Sequence, residues 1–259
     1  MVAERLLDRY AITEPNHLDV DALVEAEGVA VVRKEMEGAE GRLVLGRKGA
    51  RIVVNKDLKQ VGKARFVVAH EFGHYLQESR TSQAHLITDT SLVSLYQSDP
   101  QETAANIFAA ELLMPERWLR SLIDGKQPSF RLVKSIAESL STTLTATTIR
   151  YLSLTKEPAA LVVAKEGRIS WSKPASSGWY YRLRGNDSEL RKSTCAYDLF
   201  QGRAEEPNPT AVDAEGWLEM ENLKPDAEIY EHSIMLGNYG ITLTLLWIDK
   251  DPTYFRRVR

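Results

Sequence analysis

The chain has 259 residues, with 43% hydrophobic and 27% charged side chains and a formal net charge of −3. That is length enough for one large core or two smaller ones, and the balance of charge gives no general attraction to nucleic acid. No stretch reaches the length of a membrane span, Met1-Val2-Ala3-Glu4-Arg5 lacks the plan of a signal peptide, and the single Cys195 rules out an internal disulfide, which fits a reducing, cytoplasmic setting.

Residues 4–10 read as a short helix and residues 18–26 as a second, with Asp19 near its start. Three strands follow, at 29–32, 42–45 and 51–54, with Gly41 and the Gly46–Gly49 stretch as the turns between them. Then comes the most informative segment, His70-Glu71-Phe72-Gly73-His74, at the end of the apolar run 64–69. Two histidines at i and i+4 on a helix stand about 40° apart around its axis, so both imidazoles reach one ion. Glu71 projects beside them, placed to take a proton from a water held by such an ion. The apolar run predicts a helix buried on most sides, a dry and rigid setting for the ligands.

Catalytic zinc keeps three protein ligands and an open position. One class of H-E-x-x-H proteins takes the third from a histidine six residues after the second, following a glycine; Arg80 and Gln77 hold those places here, which excludes it. The other class takes a carboxylate from a later helix. Residues 78–100 are polar and rich in Ser and Thr and read as a functional loop or flap, with His85 a surface histidine. Residues 101–115 then read as a helix stopped at Pro115. Its two carboxylates, Glu102 and Glu111, lie on roughly opposite faces. Glu102 shares a face with Asn106 at i+4, whose side-chain oxygen can orient a ligating histidine through its other ring nitrogen. Glu102 is therefore assigned as the third ligand, Asn106 as the orienting group and Glu111 as an ordinary helix residue.

H-E-F-G-H followed by E-T-A-A-N-I-F-A-A-E-L-L-M-P resembles the ImmA/IrrE family of zinc metallopeptidases, over about residues 1 to 155. The resemblance implies a compact gluzincin-like core, zinc on His70, His74 and Glu102, Glu71 as general base, and a helix-turn-helix repressor as the protein cut, in response to stress or DNA damage. Many relatives have a further acidic residue at the place of Ala104, and some have Asp where Asn106 stands; Asn orients a histidine without raising its basicity. By analogy with enzymes of this class, Arg51 to Val54 is expected to be an edge strand on which a substrate adds as a further strand. Tyr75, one residue past the motif, reads as a packed tyrosine rather than an oxyanion stabiliser.

Residues 129–154 read as two short helices with apolar faces. Their link resembles that of a helix-turn-helix, but Thr145 to Tyr151 offers only Arg150 for reading DNA, so they are expected to close the protease core. Beyond Pro158 the pattern changes to a hairpin of 161–164 with 169–171, a helix within 187–200, and a longer hairpin of 227–235 with 241–248. Trp171, Trp179, Trp217 and Trp247 are expected in its core. The sequence thus predicts an α+β protein: a gluzincin-like metallopeptidase domain at 1–156 and a smaller mixed α/β domain at 157–259, sensory or partner-binding, a small ligand included. The activity expected is a zinc endopeptidase acting on a protein substrate, without direct nucleic-acid or membrane binding. The alternatives are a non-catalytic regulator with structural zinc and a binding protein of toxin–antitoxin type.

Overall fold

The computed structural model describes residues 2–47, 49–81, 99–203, 208–219, 226–237 and 240–248. His85 and the rest of the expected flap lie outside them. Contacts divide the chain into two compact units, Met1–Ser121 with Ile136–Thr147, and Leu122–Ser135 with Thr148–Arg259. Among the described residues no helix is long and apolar enough to cross a membrane.

In the first unit α1 (Val2–Arg9) buries Ala3, Leu6 and Leu7 along one stripe. Helix α2 (Val20–Ala26) begins where the Asp19 carboxylate accepts from the Ala22 N–H. Strands β1 (Val29–Lys34), β2 (Gly41–Gly46) and β3 (Gly49–Asn55) form a sheet in the order β1-β3-β2. β3 runs parallel to β1 and antiparallel to β2. The expectation that Arg51 to Val54 forms an edge is therefore wrong: β3 is the central strand, and β2 holds an edge. The tight turn at Gly46–Gly49 folds β3 back along β2, while β1 supplies a second partner from far up the chain. Gly41, expected in a turn, lies inside β2.

Helix α3 (Val61–Thr81) carries the H-E-x-x-H segment and packs on β2, β3, α2 and α4 (Pro100–Leu113). Asp99 caps α4 by accepting from the Gln101 N–H, with Pro100 in the first turn. Arg65 ties the start of α3 to three main-chain oxygens, those of Leu18, Leu140 and Ser141. Helix α5 (Glu116–Ile123) follows Pro115; the sequence reading passed over it, although Trp118, Leu119 and Ile123 keep a helical spacing. Helices α6 (Phe130–Leu140) and α7 (Leu144–Leu154) stand where two helices were expected.

The second unit is built on a five-stranded antiparallel sheet in the order β5-β4-β8-β7-β6. The first hairpin, β4 (Ala159–Lys165) and β5 (Arg168–Pro174), turns through Glu166 and Gly167, both at positive φ. That pair of left-handed residues matches the twist of the flanking strands. Of the helix expected within 187–200 only α8 (Cys195–Phe200) forms. Asp187 has φ +63°, and Thr194 caps α8 at the Tyr197 N–H, so the chain before it turns instead. β6 (Thr210–Asp213), too short to read from sequence, borders β7 (Glu228–Met235), which pairs with β8 (Ile241–Trp247). Trp217, 1% exposed, stands in the core with Val162, Ile229 and Leu246.

Beneath that core lies a carboxylate with no exposed surface. Glu231 accepts from the main-chain N–H groups of Cys195 and Ala196 at 3.1 and 2.7 Å, the Trp217 indole at 2.8 Å and the Ser233 hydroxyl at 2.6 Å. Two donors reach each oxygen, so an amide at this position would, in either orientation, face its NH₂ to at least one N–H that can only donate. Glu231→Gln should destabilise the second unit by about 2–4 kcal/mol. Urea unfolding followed by tryptophan fluorescence reads this, and an unchanged midpoint would show that the four donors do not need the charge.

Candidate metal centre

Elementary electrostatics makes α3 and α4 unusual neighbours. They bury His70, Glu71 and His74 to 1% exposure and Glu102 to 7% inside an apolar interior, where an ionisable group is costly unless matched. Each reaches the same point by a different route. His70 and His74 stand one turn apart on α3, and Glu102 lies in the first turn of α4. The two helices approach closely at Gly73, where a Cβ would sit 3.1 Å from the Ala105 Cα and from the Phe108 ring.

The result is a small triangle of donor atoms. His70 Nε2 and His74 Nε2 are 3.0 Å apart, and Glu102 places Oε2 3.3 Å from the first and Oε1 3.3 Å from the second. Around a tetrahedral ion with bonds of about 2.0–2.2 Å, donor atoms stand about 3.3 Å apart, so the spacing suits such an ion. His70 Nδ1 lies 2.8 Å from the Asn106 side-chain oxygen. That oxygen can only accept, so Nδ1 carries the proton and Nε2 turns its lone pair into the triangle. Glu102 Oε2 is buried and makes no hydrogen bond. An orphaned carboxylate oxygen facing two imidazole nitrogens fits the donor set of a cation site. His70, His74 and Glu102 form the group of His, Cys, Asp and Glu side chains that can hold a metal ion among the described residues. Glu111 is not part of it.

The pKa directions agree with that use. Burial first, then the neighbouring His70, push His74 down and keep it a neutral ligand. Contact with His70 holds Glu102 below the usual carboxylate range, against its burial. Glu71 moves the other way: burial pushes it up to about 7, and its bond from Leu43 opposes the rise.

Glu71 is held by something the motif did not reveal. The Leu43 N–H of β2 donates to its Oε2 at 2.8 Å, leaving Oε1 as the oxygen free to take a proton. Asn55 N–H donates to the Glu40 oxygen, so by the alternation of an antiparallel ladder Arg42 and Val44 turn their main-chain groups to β3, and Gly41, Leu43 and Leu45 turn theirs outward. Gly41 makes the approach possible: a Cβ there would collide with Val67 Cγ1 and lie 3.6 Å from Glu71 Oε1. The only sequence signal was a glycine in a strand, which marks close backbone approach. Tyr75 stacks on Phe72, ring centroids 5.9 Å apart, as a packing residue.

With this geometry in hand the comparisons can be read. Residues 24–146 match the sequence profile of the IrrE N-terminal-like domain. That segment belongs to the ImmA/IrrE family, as H-E-F-G-H and E-T-A-A-N had suggested. A search of the curated proteins finds no match. Among solved structures a Mycobacterium tuberculosis transcriptional regulator is similar over 95% of this chain and 74% of that one, with a TM-score of 0.59 and 16% sequence identity. At that identity the likeness is one of fold.

Two outcomes are expected. Asn106→Ala should weaken metal binding by about 10–100-fold, because His70 loses the group that fixes its tautomer; competition with a chromophoric chelator measures it, and unchanged affinity would remove Asn106 from the site. In the metal-free protein Glu71 holds a proton in the fold up to about pH 7, while the unfolded chain releases it near 4.5. Stability therefore falls as pH rises through that window. Glu71→Gln keeps the acceptor for Leu43 but cannot ionise, so it should be the more stable protein at pH 8, by up to about 3 kcal/mol, and equal to wild type at pH 4. Paired melting curves with chelator present would show the two converging as pH falls; a constant difference would mean that Glu71 is not ionising in a buried place.

Proposed function

We propose that this protein is a zinc-dependent endopeptidase with a gluzincin-like core, acting in the cytoplasm on a protein substrate. The observation that carries the reading is the buried triangle of His70, His74 and Glu102 with Glu71 pinned beside it. Two imidazoles and one carboxylate are the donor set of a hydrolytic zinc site. Zinc held there supplies Lewis-acid polarisation of the scissile carbonyl and makes a water easier to deprotonate. Glu71 takes the water proton on Oε1 and delivers it to the leaving amine, and the Leu43 bond on Oε2 keeps the carboxylate turned for both transfers. A purely structural ion has no use for a base held in this way.

The free side of β2 is the place for the substrate backbone. Among the described residues the Leu43 carbonyl and both main-chain groups of Leu45 make no bond on that side, so an extended segment can add to the sheet through bonds that ignore side chains. By resemblance to the family the substrate is a helix-turn-helix repressor whose cleavage releases stress or mobile-element genes. The fold shared with a protein described as a transcriptional regulator fits a role in gene control. Residues 1–156 are the module that carries the chemistry, and 157–259 the one that senses a signal or holds a partner.

The test uses the zinc-loaded protein and candidate helix-turn-helix repressors, those of any adjoining gene first, wild type against Glu71→Gln, with products read by intact mass spectrometry. The wild type should make one discrete cut and the variant none, both carrying one zinc. Stoichiometric zinc with no cut would favour the non-catalytic regulator, and cutting by the variant would remove Glu71 as the base.

A further inference from the structure

Arg42 precedes Leu43 on β2, at the open edge of the first sheet. A Cβ at Gly41 would run into Val67 and approach Glu71, so Gly41 and Leu43 face α3, and by strand alternation Arg42 and Val44 face the other way. There Arg42 is half-buried and its Nε is fully covered, yet that N–H finds no acceptor. A buried donor without an acceptor carries a cost that an oxygen of a bound segment would remove. Among the described residues Arg42 makes no ion pair either. Of the three carboxylates in the connection before β2, Glu35 is paired with Lys56 and Glu40 with Lys63, and Glu37 is exposed and forms no ion pair. Glu71 is held by the Leu43 N–H instead. Arg51, exposed on β3 beside Val44, adds a second cation to the same face, again without an ion pair among the described residues.

The position matters as much as the charge. Burial raises the Glu71 carboxyl, and Arg42, the weakest of the influences on it, draws it down, so the guanidinium stands within electrostatic reach of the base. Arg42 gives its main chain to β3. A residue set opposite it by an antiparallel strand added on the free side therefore falls in a non-hydrogen-bonded pair, the kind in which side chains stand closest. Opposite charges attract across such a pair, and the planar guanidinium matches the two oxygens of a carboxylate.

We infer that Arg42 is a specificity-determining residue, selecting substrate segments that carry Asp or Glu at the position facing it, close to where Glu71 acts. The inference deepens the endopeptidase reading and rests on it for what becomes of the bound segment. Its test reads binding apart from cleavage. The full chain with Glu71→Gln, zinc-loaded, is mixed with a library of random peptides, and the retained peptides are sequenced by mass spectrometry. The selection is repeated with Arg42→Lys, Arg42→Gln or Arg42→Glu added. With Arg42 present, Asp and Glu should be enriched about fivefold at one position. Arg42→Lys should keep part of that preference and Arg42→Gln lose it. Arg42→Glu should replace it with a preference for Lys and Arg, a reversal that poor folding does not produce. No retention, retention without an acidic position, or an acidic preference that survives Arg42→Glu overturns the inference. If the preference appears and reverses while the protein with Glu71 intact cuts none of the selected peptides, the endopeptidase reading fails and the selection by Arg42 stands.

Discussion

The first unit depends on burying two imidazoles and two carboxylates between α3 and α4 without leaving their charges unanswered. In an apolar interior each of these groups alone would favour unfolding or neutralisation. The fold answers them jointly. Asn106 accepts a hydrogen bond from the His70 Nδ1–H, Leu43 satisfies one oxygen of Glu71, and the remaining lone pairs of His70, His74 and Glu102 point at one another. What is left over, three donors in a triangle, calls for a cation.

The same constraint explains why small residues occur where they do. Gly73 lets α4 come near enough for Glu102 to reach the histidines, and Gly41 lets β2 come near enough for its main chain to reach Glu71. Side chains that perform chemistry are held here by residues that have almost none. The second unit uses the opposite arrangement, since Glu231 is answered entirely by hydrogen bonds and needs no ion. The buried carboxylates Glu102 and Glu231 thus have different fates, decided by whether their neighbours donate or accept.

Much of this was legible in the sequence because it is local. His70 and His74 fall on one face by helical spacing, Glu102 and Asn106 share a face for the same reason, and the glycines around β1, β2 and β3 separate three strands. What was not legible is what depends on distant pairing. Nothing in Arg51 to Val54 says that β1 will take the position on its other side, so its place in the sheet was misread. Leu43 could not be singled out, since its contribution is a main-chain N–H that every residue but proline has. The turn before α8 was hidden because Asp187 at positive φ and the cap at Thr194 interrupt a stretch with otherwise helical composition.

The strand order has a consequence for how the protein is made. Because β1 pairs with β3 and not with the strand that follows it, closing this sheet needs a contact that skips over β2. Pairing across that separation is slow compared with closing a hairpin. Glu102 comes later still, so a chain emerging from the ribosome offers its two histidines before it has their carboxylate. An ion held by all three side chains would therefore report that α3 and α4 have already found each other.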